Sequence, residues 1–190
     1  MTEAVTALLC DAFGGEYRAL YDLQLRVFAE REPEAMHTLC VKEEVAAYLL
    51  AATYLHTVTK ERFAYLYCIA TARPHRGRGL MRRLLDETLA GLKEAGFSGA
   101  FLVPASPQLA AMYQKFGFRP MTTPALTRPP RDGRPLLAPG AAAERYLELS
   151  GEKEAALRGG DVMPLTAGWM LLPFEPDAYD ARLAPLLPLP

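Results

Sequence analysis

The strongest constraint on the fold is the apolar run FAYLYCIATA at residues 63–72. It contains no charged residue and almost no polar alternation, so both faces of a strand built from it have to be covered. A helical repeat of apolar residues follows over 80–92, and a second short apolar run begins at residue 99. This order predicts that strands 63–72 and 99–104 are parallel and joined by a right-handed helical crossover.

Other patterns place further elements around this unit. Helices are predicted over 3–13 and 16–30, and a long strand over 45–58. In the segment SPQLAAMYQKFGF, Ser106 can cap a helix and Gly117 can end it. The predicted fold class is therefore α/β, with a mixed α+β sheet that is mostly antiparallel, contains one parallel strand pair and is flanked by helices.

Length and composition limit the possible classes of protein. The 190 residues suit a single domain, 1–190, in which six prolines between 120 and 140 predict a loop or arm. Residues 141–190 are predicted to add a helix and a strand that complete the domain. The net charge of −1 argues against a nucleic-acid binder. Three scattered cysteines fit neither a disulfide framework nor a metal site, so we expect a cytoplasmic protein without a metal.

The chain start and its hydropathy suggest no membrane association. MTEAVTALLCDAFGG has an early acid and no basic segment, which is atypical of a signal peptide. No apolar run approaches the length that a bilayer requires.

Positive charge is concentrated directly after the central apolar run. The stretch ARPHRGRGLMRRLL, residues 72–85 and here called the basic turn, carries five arginines and no acid. A helix that begins near Gly79 presents unpaired N–H groups and a partial positive charge, and Gly77 and Gly79 let a ligand approach the backbone. The basic turn is therefore predicted to bind an anion, and phosphate is the favoured one.

Two common phosphate-binding patterns do not fit the basic turn. Arg82 stands where a dinucleotide fingerprint requires glycine, and no GK[ST] sequence follows for a Walker loop. A second interpretation is that the arginines only form a solvated, solubilising face. The buried strand, the paired glycines and the amphipathic helix together favour ligand binding over that interpretation.

The segment IATARPHRGRGLMRRLL resembles the acetyl-CoA signature of the GNAT superfamily of acyl-CoA N-acyltransferases, Q/R-x-x-G-x-G/A. Arg76 and Gly79 fill this pattern, whereas Met81 stands where the family usually has glycine or alanine. A second segment, LVPASPQLAAMYQKFGFRPM, resembles the superfamily's later motif, a strand and then a helix that ends in Y-x-K-x-G-F. The residues that fill this motif are Tyr113, Lys115, Gly117 and Phe118.

The resemblance implies a GNAT-like fold and a bacterial, acetyl-CoA-dependent N-acetyltransferase. Such an enzyme transfers the acetyl group directly from the CoA thioester to an amine of a small molecule or peptide, and family members often form homodimers. Tyr113 is implied to be the acid that protonates the leaving thiolate, although by composition alone it is equally a packing aromatic. The implied cofactor-binding residues are Ile69, Ala70, Thr71, Arg76, Gly77, Arg78, Gly79, Leu80, Met81 and Arg82.

The general base is not identified by the sequence. Many family members use a glutamate on the central strand, and FAYLYCIATA has none. His56 and His75 are candidates, but we interpret His56 as a surface histidine at a strand end. We interpret Cys68 as a small buried apolar residue.

The acceptor and the biological role also stay open. Glu30, Glu32 and Glu34 can attract a cationic amine or be solvated charges. An alternative function is a catalytically impaired acyl-CoA-binding module with a sensing or regulatory role. A third is a phosphate or nucleic-acid binder, which the absence of aromatic residues in the basic turn disfavours. Candidates for the acceptor pocket, all of which can equally be core residues, are Tyr17, Tyr21, Tyr48, Tyr54 and Trp169.

Overall fold

The computed structural model describes residues 2–56, 59–120, 126–127, 162–163 and 170–175, with the backbone alone at 126–127 and 162–163. No helix in these ranges is both long and apolar enough to cross a bilayer. Most of the predicted arm at 120–140 and of the extension at 141–190 lies outside the described residues. The α-helices are α1 (Thr2–Phe13), α2 (Arg18–Arg31), α3 (Leu80–Glu94) and α4 (Pro107–Gln114), and short 3₁₀ turns cover Gly15–Tyr17, Pro33–Ala35 and Arg73–His75.

The described strands form one mixed sheet. Its path runs β5-β8-β4-β3-β2-β6-β7, and β1 pairs with β2 beside β6. Only the β3–β4 pairing is parallel among the described strands, as the sequence predicted. The strands are β1 (Met36–Val41), β2 (Glu44–His56), β3 (Arg62–Thr71), β4 (Gly99–Leu102), β5 (Arg119–Pro120), β6 (Leu126–Thr127), β7 (Val162–Met163) and β8 (Met170–Pro173).

The parallel pair separates toward the basic turn. Pairing between β3 and β4 runs from Phe63 opposite Gly99 to Tyr65 opposite Phe101. Strand β3 continues to Thr71, whereas β4 ends at Leu102, two residues shorter than the sequence predicted. The carboxyl-terminal part of β3, after Tyr65, therefore has no paired residue on β4.

Both faces of β3 are covered, as its uninterrupted apolar sequence requires. Helices α1 and α2 pack on one face, where the core includes Leu9, Leu25 and Phe28. Helices α3 and α4 pack on the other face, where the core includes Leu85 and Tyr113. We call these the α1/α2 face and the α3/α4 face.

Helix boundaries follow the local signals in the sequence. Ser106 caps α4, since its Oγ accepts a hydrogen bond from the Leu109 N–H at 3.2 Å. Gly96 follows α3 with a φ of 76°, and Gly117 follows α4 with a φ of 90°. These left-handed conformations favour glycine, which lacks the Cβ that strains other residues there.

Strand β3 contains a bulge that the sequence did not predict. Leu50 of β2 pairs with Tyr67 and Tyr48 pairs with Ala70, so β3 has one more residue than β2 between these pairs. Cys68 lies within the bulge and has a φ of 53°, an uncommon value for a residue other than glycine. Because of the extra residue, Tyr67 and Cys68 both contact the core of the α1/α2 face. Bulges often redirect a side chain next to a functional site.

Candidate active site

The backbone of the basic turn is open. Gly77 and Gly79 both have a φ of 72°, and a Cβ placed on either would meet no described atom within 4 Å. Helix α3 begins after Gly79, whose carbonyl accepts from the Arg83 N–H at 3.0 Å. The N–H groups of residues 80–82 precede this first helical hydrogen bond, so they have no partner within the helix. The turn thus presents backbone donors beside two residues without side chains.

Acids from elsewhere in the chain reach the arginines of the basic turn. Asp11 of α1 contacts two of them, with an Oδ1 to Arg73 Nε distance of 2.8 Å and an Oδ2 to Arg76 Nη2 distance of 3.7 Å. Arg76 Nε also donates to the Thr71 carbonyl at 2.9 Å. Other contacts are Arg78 Nη1 to His75 Nδ1 at 3.0 Å, Arg82 Nε to Asp86 at 3.8 Å and Arg83 Nε to Glu87 at 2.7 Å. The arginine charge is therefore partly compensated, although the local sequence holds no acid.

The strand and helix residues next to the turn are partly buried. Ile69 and Met81 pack against the core of the α3/α4 face, and Ala70 is buried on the α1/α2 face. The Met81 side chain, which departs from the resembled pattern, is therefore engaged in a core contact.

Tyr113 is buried in the α3/α4 face. Its ring is 6% exposed and meets Phe118 edge-on at a centroid distance of 5.8 Å. Burial disfavours the phenolate and raises the pKa of Tyr113 to about 12. The Tyr113 ring therefore packs in the core of this face, and its hydroxyl is protonated at neutral pH.

Three polar side chains meet at the bulge of β3, on the α1/α2 face. The Cys68 thiol donates to Gln24 Oε1 across 3.8 Å, and Gln24 is buried on α2. Tyr48 is fully buried, and its hydroxyl has no hydrogen-bond partner among the described residues. Burial, followed by the nearby Cys68 thiol, raises the pKa of Tyr48. We call Gln24, Tyr48 and Cys68 the bulge cluster.

Aromatic rings extend from the bulge cluster along the same face. Tyr65 stacks on Tyr67 at 4.9 Å with an interplanar angle of 13°, and on Phe101 at 5.1 Å and 17°. Tyr54 meets Phe101 edge-on at 5.4 Å, and Phe28 meets Tyr67 at 6.3 Å. We call these five residues the aromatic row. It crosses from β3 to β4, where the two strands are paired.

A sequence model of the Acetyltransferase (GNAT) family matches residues 2–118. The chain belongs to this family. The matched range contains α1 to α4, the basic turn, the bulge cluster and Tyr113. Among curated proteins, none matches the chain in sequence.

Solved GNAT structures share the fold. A GCN5-related N-acetyltransferase from Kribbella flavida aligns with 63% of this chain and 31% of its own, at 17% identity and a TM-score of 0.53. An acetyltransferase from Trypanosoma brucei aligns with 65% of this chain and 89% of its own, at 17% identity and a TM-score of 0.51. A GNAT family N-acetyltransferase from Escherichia coli, solved with CoA, aligns with 62% and 63% at 20% identity and a TM-score of 0.49. The chain covers between 29% and 63% of four of the solved chains it matches.

The two histidine candidates lie near opposite ends of β3. His56 is 2% exposed, and its Nδ1 accepts from the Thr59 N–H at 3.1 Å in the turn before β3. Our interpretation of His56 as a surface histidine is therefore wrong, and burial lowers its pKa. It is the last residue of β2, next to the start of β3, and the length of β3 puts that end of the strand about 30 Å from Thr71. His75 lies in the basic turn with its Nε2 3.9 Å from Glu44.

The predicted acceptor residues fall in different environments. Tyr17 is exposed and its ring lies 6.4 Å from that of Tyr21, which is buried and whose pKa burial raises to about 12. Glu30 and Glu34 are exposed, but Glu32 is 4% exposed, so its interpretation as a solvated charge is wrong. Trp169 lies outside the described residues. Within the described part of the chain, no group of three or more His, Cys, Asp or Glu side chains is arranged to hold a metal.

Sequence reasoning missed the bulge cluster as a unit. Gln24 gave no signal, because a glutamine on a helix is ordinarily exposed. Cys68 and Tyr48 were noted separately, and only the fold brings them beside Gln24.

Proposed function

We propose that this GNAT-family chain is an acetyl-CoA-dependent N-acetyltransferase acting on an amine of a small molecule or a peptide. The observation that carries the proposal is the open glycine turn that follows β3, beyond the residues of β3 that pair with β4. We expect the phosphates of the thioester to lie beside the start of α3, and its sulfur to lie beside Tyr113. Family membership supports the same reaction class.

The basic turn supplies what a diphosphate needs. Gly77 and Gly79 leave space at the backbone, and the N–H groups of residues 80–82 can donate to phosphate oxygens. Arg76 is bonded to the Thr71 carbonyl, which the family resemblance assigns to the pantetheine. We therefore expect Arg76 to exchange this carbonyl for a phosphate when CoA binds. Met81 contributes its N–H, since its side chain is engaged in the core.

The transfer step requires a free amine lone pair and a stabilised thiolate. The amine nitrogen bonds to the thioester carbonyl carbon, the carbon–sulfur bond breaks with its electrons on sulfur, and the nitrogen loses one proton as sulfur gains one. Tyr113 is the proposed donor to sulfur. Its pKa of about 12 exceeds the value of about 8.5 for an ordinary thiol. We therefore expect Tyr113 to hold the thiolate by a strong hydrogen bond in the transition state.

The test combines binding and turnover. Thermal unfolding is measured with acetyl-CoA, CoA, NAD and ATP, and thiol release from acetyl-CoA is then measured with a panel of amines. A ligand at 100 times its Kd stabilises by about 2.7 kcal/mol. We expect stabilisation by both CoA species and thiol release that depends on an amine. The absence of any shift with acetyl-CoA or CoA would contradict the proposal.

The alternative function, an acyl-CoA-binding module without catalysis, is favoured by one observation. Strand β3 presents Cys68 and no carboxylate at its bulge. Under this alternative, acetyl-CoA stabilises the chain but no amine releases thiol.

We also propose that residues 141–190 complete the same domain. Strand β8 supports this, because it pairs with both β4 and β5.

A further inference from the structure

Asp11 occupies an unfavourable position in helix α1. It lies in the last turn, which contains no basic residue, and the carboxyl end of a helix carries partial negative charge. A carboxylate there is destabilised by its own helix. Its partners come from the basic turn, since Asp11 Oδ1 lies 2.8 Å from Arg73 Nε and Oδ2 lies 3.7 Å from Arg76 Nη2. The basic turn, and not α1, therefore explains the position of this acid.

Arg76 covers a backbone carbonyl at the edge of β3. The Ala72 N–H donates to the Ala46 carbonyl of β2 at 2.9 Å. Consecutive residues of a strand direct their N–H and C=O groups to opposite sides, so the Thr71 carbonyl points away from β2. This is the side of β4, whose pairing with β3 ends at Tyr65. Arg76 Nε donates to the Thr71 carbonyl at 2.9 Å and so covers this edge.

Cofactor binding requires Arg76 to leave these partners. In the proposed complex, pantetheine pairs with the Thr71 carbonyl and the diphosphate lies on the basic turn. Arginine binds phosphate and carboxylate through the same planar set of N–H donors. The diphosphate and the Asp11 carboxylate therefore compete for the donors of Arg73 and Arg76.

The contacts of Asp11 are weak enough for a diphosphate to displace them. More than half of the Arg73 and Arg76 side chains is exposed, as is more than a third of Asp11. Exposed ion pairs of this kind shift an equilibrium by up to about fivefold. A diphosphate carries more charge than one carboxylate and can also accept from the N–H groups of residues 80–82. The Asp11 contacts therefore lower the affinity for the diphosphate without preventing its binding.

From these observations we infer that Asp11 is a positioning residue that competes with the diphosphate of CoA for Arg73 and Arg76, and so accelerates the dissociation of CoA. This inference rests on CoA binding at the basic turn, which is part of the proposed function. Product release limits kcat in many enzymes. A carboxylate that binds the arginines again as the diphosphate leaves shortens the lifetime of the CoA complex.

The first test measures CoA binding to Asp11→Asn, which keeps the size of the side chain and removes its charge. We expect the Kd for CoA to fall by about three- to fivefold, and the dissociation rate to fall by a similar factor. Titration calorimetry measures the Kd, and a stopped-flow chase of a fluorescent etheno derivative of CoA measures the rate. An unchanged or higher Kd in the folded variant would overturn the inference. Asp11→Ser also removes the charge and decides the inference if Asp11→Asn does not fold.

Glu3→Gln is the matched control. Glu3 lies on the same helix, is exposed, and contacts Arg18 instead of the basic turn. It precedes Asp11 by about 12 Å along the helix axis, more than the Debye length of about 8 Å at physiological ionic strength. We therefore expect Glu3→Gln to leave the Kd for CoA unchanged. Equal decreases of the Kd in Asp11→Asn and Glu3→Gln would assign the effect to net charge and overturn the inference.

A ligand without phosphates distinguishes competition from a structural role. S-Acetylpantetheine contains the thioester and the pantetheine of acetyl-CoA but no diphosphate. Thermal unfolding over a range of ligand concentrations compares the two compounds. We expect Asp11→Asn to lower the Kd for acetyl-CoA and to leave that for S-acetylpantetheine unchanged. An equal gain for both compounds would mean that Asp11 only shapes the turn, and would overturn the inference.

A double-mutant cycle tests whether the arginines mediate the effect. In the background of Arg73→Gln and Arg76→Gln together, we expect Asp11→Asn to leave the Kd for CoA unchanged. A gain of the same size in this background would mean that the carboxylate repels the phosphates directly. That result would contradict competition for the arginines.

The inference and the proposed function fail in different ways. If CoA binds to none of these proteins, both fall. If CoA binds and an amine releases thiol, but Asp11→Asn leaves the Kd unchanged, the acetyltransferase proposal stands and the inference falls. If Asp11→Asn tightens CoA binding but no amine releases thiol, the inference holds for the alternative function, an acyl-CoA-binding module.

Discussion

The basic turn and the bulge cluster lie near the same end of β3, and they differ in burial and in the number of charged side chains they contain. The basic turn is exposed, and its arginines already contact carboxylates, a histidine and the Thr71 carbonyl. The bulge cluster is mostly buried and consists of a glutamine, a tyrosine and a cysteine, and the tyrosine hydroxyl has no hydrogen-bond partner among the described residues. In the proposed reaction, the basic turn binds the phosphates of CoA. Four variants test the proposed site and the contrast between the two regions.

The largest expected effect is on Tyr113, the proposed donor to sulfur on the α3/α4 face. Tyr113→Phe is expected to lower kcat by about 100-fold, because general acids and transition-state donors contribute at least this much. The Kd for acetyl-CoA should change by less than about twofold. The rate of thiol release measures kcat, and the thermal shift as a function of acetyl-CoA concentration measures the Kd. An unchanged kcat would remove Tyr113 from the mechanism.

The pH dependence of stability gives Tyr113 a second readout. Its pKa of about 12 exceeds the ordinary 10, so the unfolded state loses this proton first. Stability is then fully retained below about pH 10 and falls as the pH rises from 10 to 12. Tyr113→Phe should show a shallower fall in its melting temperature over this range, with the contribution of Tyr21 left in place.

The next effect concerns the open backbone of the basic turn. Gly79→Ala is expected to weaken acetyl-CoA binding by about tenfold, because Ala at a φ of 72° strains the turn and adds a Cβ. Gly91→Ala is the matched control within α3, where no described atom crowds a Cβ and φ is not positive. The control should keep the affinity and raise stability by about 0.5 to 1 kcal/mol. Isothermal titration and thermal unfolding compare them. If Gly79→Ala and Gly91→Ala bound acetyl-CoA with equal affinity, the turn at Gly79 would not be part of the CoA site.

A smaller effect is expected from the exposed arginine charge. Arg78→Gln should weaken acetyl-CoA binding by about threefold and reduce its dependence on salt, as for a partly screened surface charge. Arg26→Gln removes the same charge from an exposed site on α2. Titrations at low and high salt should show a change for Arg78 alone. Equal changes in both variants would mean that net charge, not the turn, governs binding.

The smallest effect distinguishes the bulge cluster from an ordinary core. Tyr48→Phe removes a buried hydroxyl without a described partner, so we expect stability to rise by about 1 kcal/mol. Tyr17→Phe changes an exposed hydroxyl and should leave stability unchanged. Urea unfolding of the two variants measures the difference. A loss of stability in Tyr48→Phe would show that its hydroxyl is hydrogen-bonded.

Local signals in the sequence accounted for much of the fold. The parallel pair, the long strand β2, the caps at Ser106 and Gly117 and the helix after Gly79 follow from periodicity, capping and glycine conformation. The family resemblance carried the proposed roles of Tyr113 and the cofactor-binding residues, which remain predictions.

The features that the sequence could not indicate depend on contacts distant in the chain. Asp11 lies about sixty residues before the arginines it contacts, and Gln24 lies 44 residues before Cys68. The bulge needs a left-handed cysteine, a conformation for which cysteine has no preference. His56 and Glu32 are buried by tertiary packing, although each lies next to a short turn whose sequence is polar.

The position of β8 has a consequence for biosynthesis. Residues 170–173 insert between β4 and β5, which are complete some fifty residues or more earlier in the chain. Until β8 leaves the ribosome, β4 has one edge without this partner, and open strand edges are sites of aggregation. A nascent chain that already contains the whole GNAT-matched segment therefore depends on the late strand, or on a chaperone, to protect that edge.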